Sequence, residues 1–329
     1  MKYGFKKHLS PHFPSQIIVD LTQLCNLACI HCPHPIFVKS SHFTGKHLDV
    51  SLHNKMIDEV AKESNGLCQY IRYTANGETL LHPQFEEIIG YAGEYSKTKI
   101  NITTNGHLLD DKKIKAILDA KVDVIDISLD AFTPETYAKI RIHGDLEKVR
   151  NNILHVLSII KEKKLPTKII VSFVEQPHNV HEKQQFYDYW TEVGAHFVVM
   201  RELHSSAGFK AQISKKMQQN SDAEKKLRRP CMYPWERLTL APDGMLAFCP
   251  ADWKSGSHFI DFRTTTIKEA WQSEFMQKLR EAHLENNYKD FPLCEKCPDW
   301  VNTKWEDDEG IMYHDVMKSL MVDDTSKKG

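Results

Sequence analysis

Seven of the eight cysteines fall into two groups, and their spacing is the chemistry-bearing feature of the chain. Cys25, Cys29 and Cys32 place three thiols within eight residues. Three thiolates on one tight loop can hold three corners of a cubane iron–sulfur cluster, leaving one iron without a protein ligand and open to a chelating small molecule. Structural zinc is the competing reading, but it ordinarily takes four protein ligands. Cys231, Cys249, Cys294 and Cys297 supply four thiols, enough for a complete second cubane or for a closed zinc site. Cys68 stands apart. The start, from Met1 to Pro14, is lysine-bearing and lacks the apolar core of a signal peptide, so a disulfide framework is not expected.

The elements that must carry these loops read as alternating strands and helices. Short β-branched runs predict strands at Gln16–Leu21, Tyr70–Thr74, Lys99–Thr104, Val122–Leu129, Lys168–Phe173 and His196–Met200. Amphipathic stretches predict helices near Ser51–Glu63, Gln84–Tyr95, Asp111–Ala120, Leu146–Lys163 and Val180–Val193. In the fourth of these, Val149, Ile153, Val156, Leu157 and Ile160 recur at spacings of three and four. Six βα units imply an α/β fold with a parallel sheet, two units short of a full eight-unit barrel. The expected layout is a partial barrel over residues 1–208, a polar linker or mobile lid over 209–230, and a smaller unit over 231–329. In that last unit, Leu238–Ala241 and Met245–Phe248 flank Pro242-Asp243-Gly244 as a hairpin. Thr266–Glu285 reads as helical, Cys294-Glu-Lys-Cys297 follows, and Met312, Val316, Met317 and Leu320 suggest a docking helix.

The CxxxCxxC spacing after the first strand resembles the signature of the radical SAM superfamily, which cleaves S-adenosylmethionine beside a [4Fe-4S] cluster. That resemblance covers Gln16 to about Leu203. It implies that Cys25, Cys29 and Cys32 are the cluster ligands and that His31 stands where the family usually has an aromatic residue near adenine. Asn76-Gly77-Glu78 resembles the motif that receives the cofactor's amino group, with Asn in place of the first glycine. Thr103-Thr104-Asn105-Gly106 matches a family turn, Ser128-Leu129-Asp130 fits the segment that meets the ribose hydroxyls, and Arg141 resembles the arginine that meets the cofactor carboxylate. Read without the resemblance, Asn76-Gly77 is an ordinary turn, Ser128 or Asp130 a helix cap and Arg141 a solvated charge. All these residues follow strand ends, the edge where a parallel barrel binds its ligands.

The C-terminal cysteines resemble the auxiliary-cluster region of SPASM-type members. The pattern stops after Cys297, the truncated twitch form with one auxiliary [4Fe-4S] cluster, as in aminocyclitol dehydrogenases. The resemblance therefore implies a partial (βα)6 radical SAM barrel followed by a twitch/SPASM-like domain, holding S-adenosylmethionine and two [4Fe-4S] clusters. A fully ligated auxiliary cluster suits one-electron transfer, hence oxidation of a secondary alcohol on a sugar or cyclitol. Base candidates stand at the ends of the fifth and sixth strands: Glu175, Arg201, Glu202 and His204. Epimerisation needs a hydrogen-donating thiol, and Cys68 precedes the second strand, at the wrong end of a barrel. Peptide modification is disfavoured because the barrel starts near residue 16, leaving no room for a recognition domain. A non-catalytic electron-transfer protein would not need the cofactor-binding strand ends.

Charge and hydropathy exclude other classes. With 43 basic and 44 acidic residues, net charge −1, the chain carries no field that would favour nucleic acid or an anionic membrane. No apolar run approaches the length of a membrane span. The expectation is a cytoplasmic enzyme with a small-molecule substrate and a flavodoxin- or ferredoxin-type electron donor.

Overall fold

The computed structural model describes residues 3–223, 228–303, 305 and 316. Six parallel strands appear where β-branched runs predict them: β1 (Gln16–Val19), β2 (Tyr70–Tyr73), β3 (Lys99–Thr104), β4 (Val124–Ser128), β5 (Lys168–Val174) and β6 (Phe197–Arg201). They lie in chain order and pair parallel throughout. Between them run α1 (His34–Phe37), α2 (Val50–Glu63), α3 (Phe85–Tyr95), α4 (Asp111–Asp119), α5 (Pro134–Ile140), α6 (Leu146–Lys163) and α7 (Lys183–Val193). Four of these helices, α2, α4, α5 and α6, start at a side-chain cap: Asp49, Asp110, Thr133 and Asp145 each accept from a main-chain N–H of the first turn.

The two faces of the sheet differ in chemistry. The outer face (Ile17, Ile71, Ile102, Ile125, Val171) joins the helices in one apolar core. The inner face carries Arg72, Asn101, Thr103, Asp126, Ser172 and Arg201, whose positions share the registers of neighbouring strands. Alternation therefore turns apolar residues outward to the helices and polar ones into the barrel.

The C-terminal unit extends this sheet. After α8 (Ala211–Ala223), which lies within the stretch read as linker, come α9 (Tyr233–Glu236), β7 (Arg237–Leu240), β8 (Met245–Ala247) and β9 (His258–Asp261). The expected hairpin is β7–β8, and β9 adds a third antiparallel strand. β7 pairs parallel with β1, Gln16 opposite Arg237, so the sheet runs β6-β5-β4-β3-β2-β1-β7-β8-β9. The predicted helix over 266–285 is two helices, α10 (Ile267–Gln272) and α11 (Glu274–Glu285). They break at Ser273, whose extended backbone closes one and whose side chain caps the next. α12 (Pro292–Lys296) carries Cys294. Of the proposed C-terminal helix, Met312, Met317 and Leu320 lie outside the described residues. Val316 is buried against Tyr70, Val124 and Ile170 at the start of the barrel interior. Among the described residues, no helix is long and apolar enough to cross a membrane.

Candidate active site at the strand ends

The first cysteine loop leaves β1 and is pinned to the segment closing α5: Ala28 and Ile30 donate to the carbonyls of Ile142 and Ile140 at 3.0 and 2.9 Å. Burial pushes the thiols of Cys25 and Cys32 up to about 12. It also raises Cys29, against which the neighbouring Arg141 charge works. Cys29 and Cys32 both bear electrostatically on Cys25, so the three share one small volume. Buried thiols without a cation are held protonated. Iron would supply the positive charge that makes them thiolates, so the donor set fits a cluster. Among the described residues, no three His, Cys, Asp or Glu side chains converge on a single metal ion. A cubane spreads its ligands over separate corners.

Gly77 is dictated by packing. A Cβ there would lie 1.9 Å from the carbonyl oxygen of Thr22 and 2.6 Å from that of Leu24, on the segment that leads from β1 into Cys25. Glu78 is buried, and its carboxylate accepts from Thr104 Oγ1 at 2.6 Å, Asn105 N at 2.8 Å and Leu80 N at 3.2 Å. It therefore ties the second and third strand ends together. Asn76 donates N–H to Asp20 Oδ2 at 3.4 Å and its amide nitrogen to the carbonyl of Asp252 at 3.2 Å. Its side-chain oxygen is buried with no partner among the described residues. An orphaned acceptor at this point fits the ammonium of S-adenosylmethionine. Asn105 bridges to Asn26 Oδ1 at 2.8 Å and accepts from His107.

Asp130 is fully buried with φ 64°. Oδ2 accepts from Arg141 Nε at 2.9 Å and Nη2 at 2.5 Å, and Oδ1 accepts from Val174 N at 2.7 Å. Sequence reasoning gave Asp130 and Arg141 separate contacts with the cofactor; the structure makes them an ion pair beneath the cysteine loop. His31 lies 3.6 Å from the same carboxylate oxygen and meets Gln176 at 3.2 Å. Burial lowers the His31 ring to about 4, so it is neutral near pH 7. Ser128 is half-buried at the end of β4.

The four base candidates differ sharply. Arg201 donates to Asp126 Oδ2 at 2.6 Å, a carboxylate also held by Arg72 at 3.1 Å and Ser172 at 2.5 Å. An arginine on a carboxylate does not take up a proton, so Arg201 builds the barrel floor. Glu175 is paired with Lys183. Glu202 is exposed, with no ion pair among the described residues, and exposed His204 accepts at Nδ1 from Ser206 N at 3.1 Å. Sequence reasoning missed Asp126, whose signal is a carboxylate interrupting the apolar run Val124-Ile125-Asp126-Ile127. It also missed Asp20 and Gln176, which carry no local pattern.

The second set of cysteines is similarly enclosed. Burial pushes Cys231 up to about 11 and Cys294 to about 12, and raises Cys249 and Cys297 as well. Cys231, Cys294 and Cys297 all act on Cys249. Arg228 donates to the carbonyls of Cys294 and Glu295 and stacks on Tyr288 at 3.9 Å. Four mutually close thiols fit one fully ligated cluster.

A parallel partial barrel with three thiols on its first loop, joined to a four-thiol unit, defines an iron–sulfur enzyme with a small-molecule cofactor site at its strand ends. The chain belongs to the radical SAM superfamily, whose family model matches residues 19–175, and an iron–sulfur cluster-binding domain of the SPASM type matches residues 231–298. The cofactors are accordingly S-adenosylmethionine, a [4Fe-4S] cluster and an auxiliary iron–sulfur cluster. A probable GTP 3′,8-cyclase of Methanococcus maripaludis is 29% identical over 182 residues, 54% of this chain and 55% of that protein. An S-adenosylmethionine-dependent nucleotide dehydratase of Selenomonas ruminantium is 35% identical over 124 residues, 37% of this chain and 41% of that protein. The chain thus spans about half the length, or less, of these relatives. Among solved structures, BtrN in complex with AdoMet and 2-DOIA aligns with TM-score 0.56 at 17% identity, covering 86% of this chain and 92% of that one. Native anSMEcpe with bound AdoMet aligns with TM-score 0.61 at 16% identity, covering 92% and 94%. At these identities the solved structures share the fold.

Proposed function

We propose that the protein is a radical SAM oxidoreductase that converts a secondary alcohol of a small polar substrate, a sugar or cyclitol, into a ketone. One observation carries the reading: four thiols, not three, enclose the C-terminal site. A cluster held there keeps no iron open for substrate and is suited to carrying electrons. When bound, the first cluster and S-adenosylmethionine supply a carbon radical that takes a hydrogen atom, and the second cluster supplies a one-electron acceptor. The alcohol loses two electrons and two protons in all: a hydrogen atom from carbon, one electron, and the hydroxyl proton.

The chain's own residues divide the remaining tasks. Cys25, Cys29 and Cys32 hold the first cluster, and Cys231, Cys249, Cys294 and Cys297 the second. Asn76 Oδ1 receives the cofactor ammonium, Gly77 allows the loop to approach, and Glu78 and Asn105 fix the neighbouring strand ends. Ser128 meets the ribose and neutral His31 lies against adenine. Arg141, oriented by Asp130, presents its charge beside Cys29 to the cofactor carboxylate. The hydroxyl proton goes to Glu202 or His204, both exposed beyond β6, and a flavodoxin- or ferredoxin-type protein delivers the initiating electron.

Two competing reactions have less support. Epimerisation requires a thiol that returns hydrogen, and Cys68 is buried before β2 with its thiol directed to the carbonyl of Tyr70 at 3.8 Å. The cyclase and dehydratase relatives match about half of the chain or less, so the likeness supports cofactor chemistry more than substrate. The test is an iron count after anaerobic reconstitution, in wild type and in the Cys25→Ala/Cys29→Ala/Cys32→Ala variant. Two cubanes give about eight irons, falling to about four. About four falling to none, with zinc on the C-terminal cysteines, removes the electron acceptor and the oxidation with it.

A further inference from the structure

The loop after β6 touches both cysteine regions. Ser205 and Ala207 donate N–H to the two carboxylate oxygens of Asp299, two residues past Cys297, at 2.7 and 2.8 Å. Lys210 donates to the carbonyl of Ile30, between Cys29 and Cys32, at 2.8 Å. α8 leaves from this loop. Between α8, the loop after Cys249 and α12 lies a cavity of about 680 Å³.

The lining has a consistent chemistry. Trp253 and Phe209 give it aromatic surface, with Leu293 beside them. Trp253 is fixed edge-on against Phe37 at 5.2 Å. Lys215, Lys254 and Lys296 stand at the rim, all exposed. None is ion-paired with a carboxylate among the described residues. The one lining carboxylate, Asp252, is spent inside its own loop, accepting from Lys254 N at 2.9 Å, Ser257 N at 2.7 Å and Ser257 Oγ at 2.8 Å. The cavity therefore presents three ammonium groups against one carboxylate that is already held by neutral donors. Cations gathered around a concavity repel one another and draw in a multiply charged anion. Separate lysine point charges suit phosphate better than the flat carboxylate that arginine matches.

We propose that this cavity is the substrate site and that the substrate is an organic phosphate. Its organic body lies on Trp253 and Phe209, and its phosphate meets Lys215, Lys254 and Lys296. The inference rests on the reading of the protein as a radical enzyme for a small polar substrate, and narrows that substrate to an anionic one. The site lies beside the Cys249 and Cys294 segments, and the loop that lines it through Ser206 and Phe209 continues to Lys210, which bonds the first cysteine loop at Ile30.

The test is calorimetric titration of the reconstituted protein with inorganic pyrophosphate, and separately with uncharged myo-inositol. Pyrophosphate is expected to bind the wild type with an affinity that falls as salt rises. The Lys215→Gln/Lys254→Gln/Lys296→Gln variant is expected to bind it about tenfold more weakly or worse. Iron content checks that the variant still folds around its clusters. If it does not, Lys215→Gln alone, on α8 and outside the cysteine loops, is expected to weaken binding about threefold. Equal affinity in wild type and variant overturns the proposal, as does binding of myo-inositol with none of pyrophosphate. Cleavage of S-adenosylmethionine by the reduced wild type, measured alongside, separates the two readings. Its absence would sink the radical enzyme, whereas cleavage with no pyrophosphate binding would sink only the phosphate site.

Discussion

Asn76 reaches across the molecule to Asp252: its side-chain amide donates to the Asp252 carbonyl at 3.2 Å, joining the loop after β2 to the loop after Cys249. The residue stands where the family usually has glycine, which has no side chain to make such a link. Asn76→Ala removes the hydrogen bond and also the orphaned oxygen proposed to meet the cofactor. The expected result is a loss of about 1 kcal/mol in stability, with both clusters assembled and affinity for S-adenosylmethionine reduced. Thermal unfolding, iron content and equilibrium binding of the cofactor read these separately; unchanged affinity would remove the proposed role of Oδ1.

Gly77 has no such latitude. A Cβ built there would sit 1.9 Å from the Thr22 carbonyl oxygen, a backbone atom that cannot swing away. Gly77→Ala must displace either the loop after β2 or the segment between β1 and Cys25. A cost of several kcal/mol is expected, of the size seen for overpacking. Iron on the first cysteine set should drop most; because Asn76, next to Gly77, also bonds the Asp252 carbonyl in the loop after Cys249, the C-terminal set should lose a smaller share. Spectroscopy of the variant with the C-terminal cysteines also replaced isolates the first cluster.

Much of this site was legible in the sequence, for identifiable reasons. Cysteines at spacings of four and three residues declare themselves, and the six strands were visible because each carries Val, Ile or Thr on its helix-facing side, even where the other side is polar. α5 was missed although Thr133-Pro134-Glu135 is a capping sequence, since seven residues give too little periodicity. The pairing of β1 with β7 joins segments more than 200 residues apart, and no local pattern encodes it. The same holds for Arg141 with Asp130. Each residue was singled out, but their mutual ion pair depends on the left-handed turn at Asp130, which places a non-glycine residue at positive φ.

That ion pair is itself testable. Asp130 is fully buried, and Arg141 retains about one-fourteenth of its side-chain exposure. Asp130→Asn leaves a buried guanidinium without its counter-charge, at a cost of about 3–5 kcal/mol. It also releases Arg141 from its fixed orientation beside Cys29. Affinity for S-adenosylmethionine should fall with the stability. The double variant Asp130→Asn/Arg141→Met should recover much of the stability but not the affinity. Recovery of both would show that the pair serves only the fold.

Asp20, at the end of β1, offers a prediction in pH. Burial raises its carboxyl to about 8, against main-chain N–H groups of Asn76, Thr22 and Gly77 that pull it down. A carboxyl whose folded value lies above its unfolded one binds its proton more tightly when folded. The stability it contributes is therefore full below about pH 4 and is lost as pH rises through about 8. Buried His31, His53 and His283 act oppositely, all lowered to about 4 by burial. Their effect is complete above their unfolded value near 6.5. In the window from pH 6.5 to 8 these histidines no longer change, and the decline comes from carboxyls that burial raises, Asp20 and Glu78 among them. The share from Asp20 should be about 2 kcal/mol, the linkage slope for one proton over that span. Asp20→Asn keeps the shape and cannot ionise, so its unfolding midpoint should decline less steeply than the wild type's. Parallel slopes in the two proteins would mean that Asp20 is already ionised at neutral pH, held by those three N–H groups.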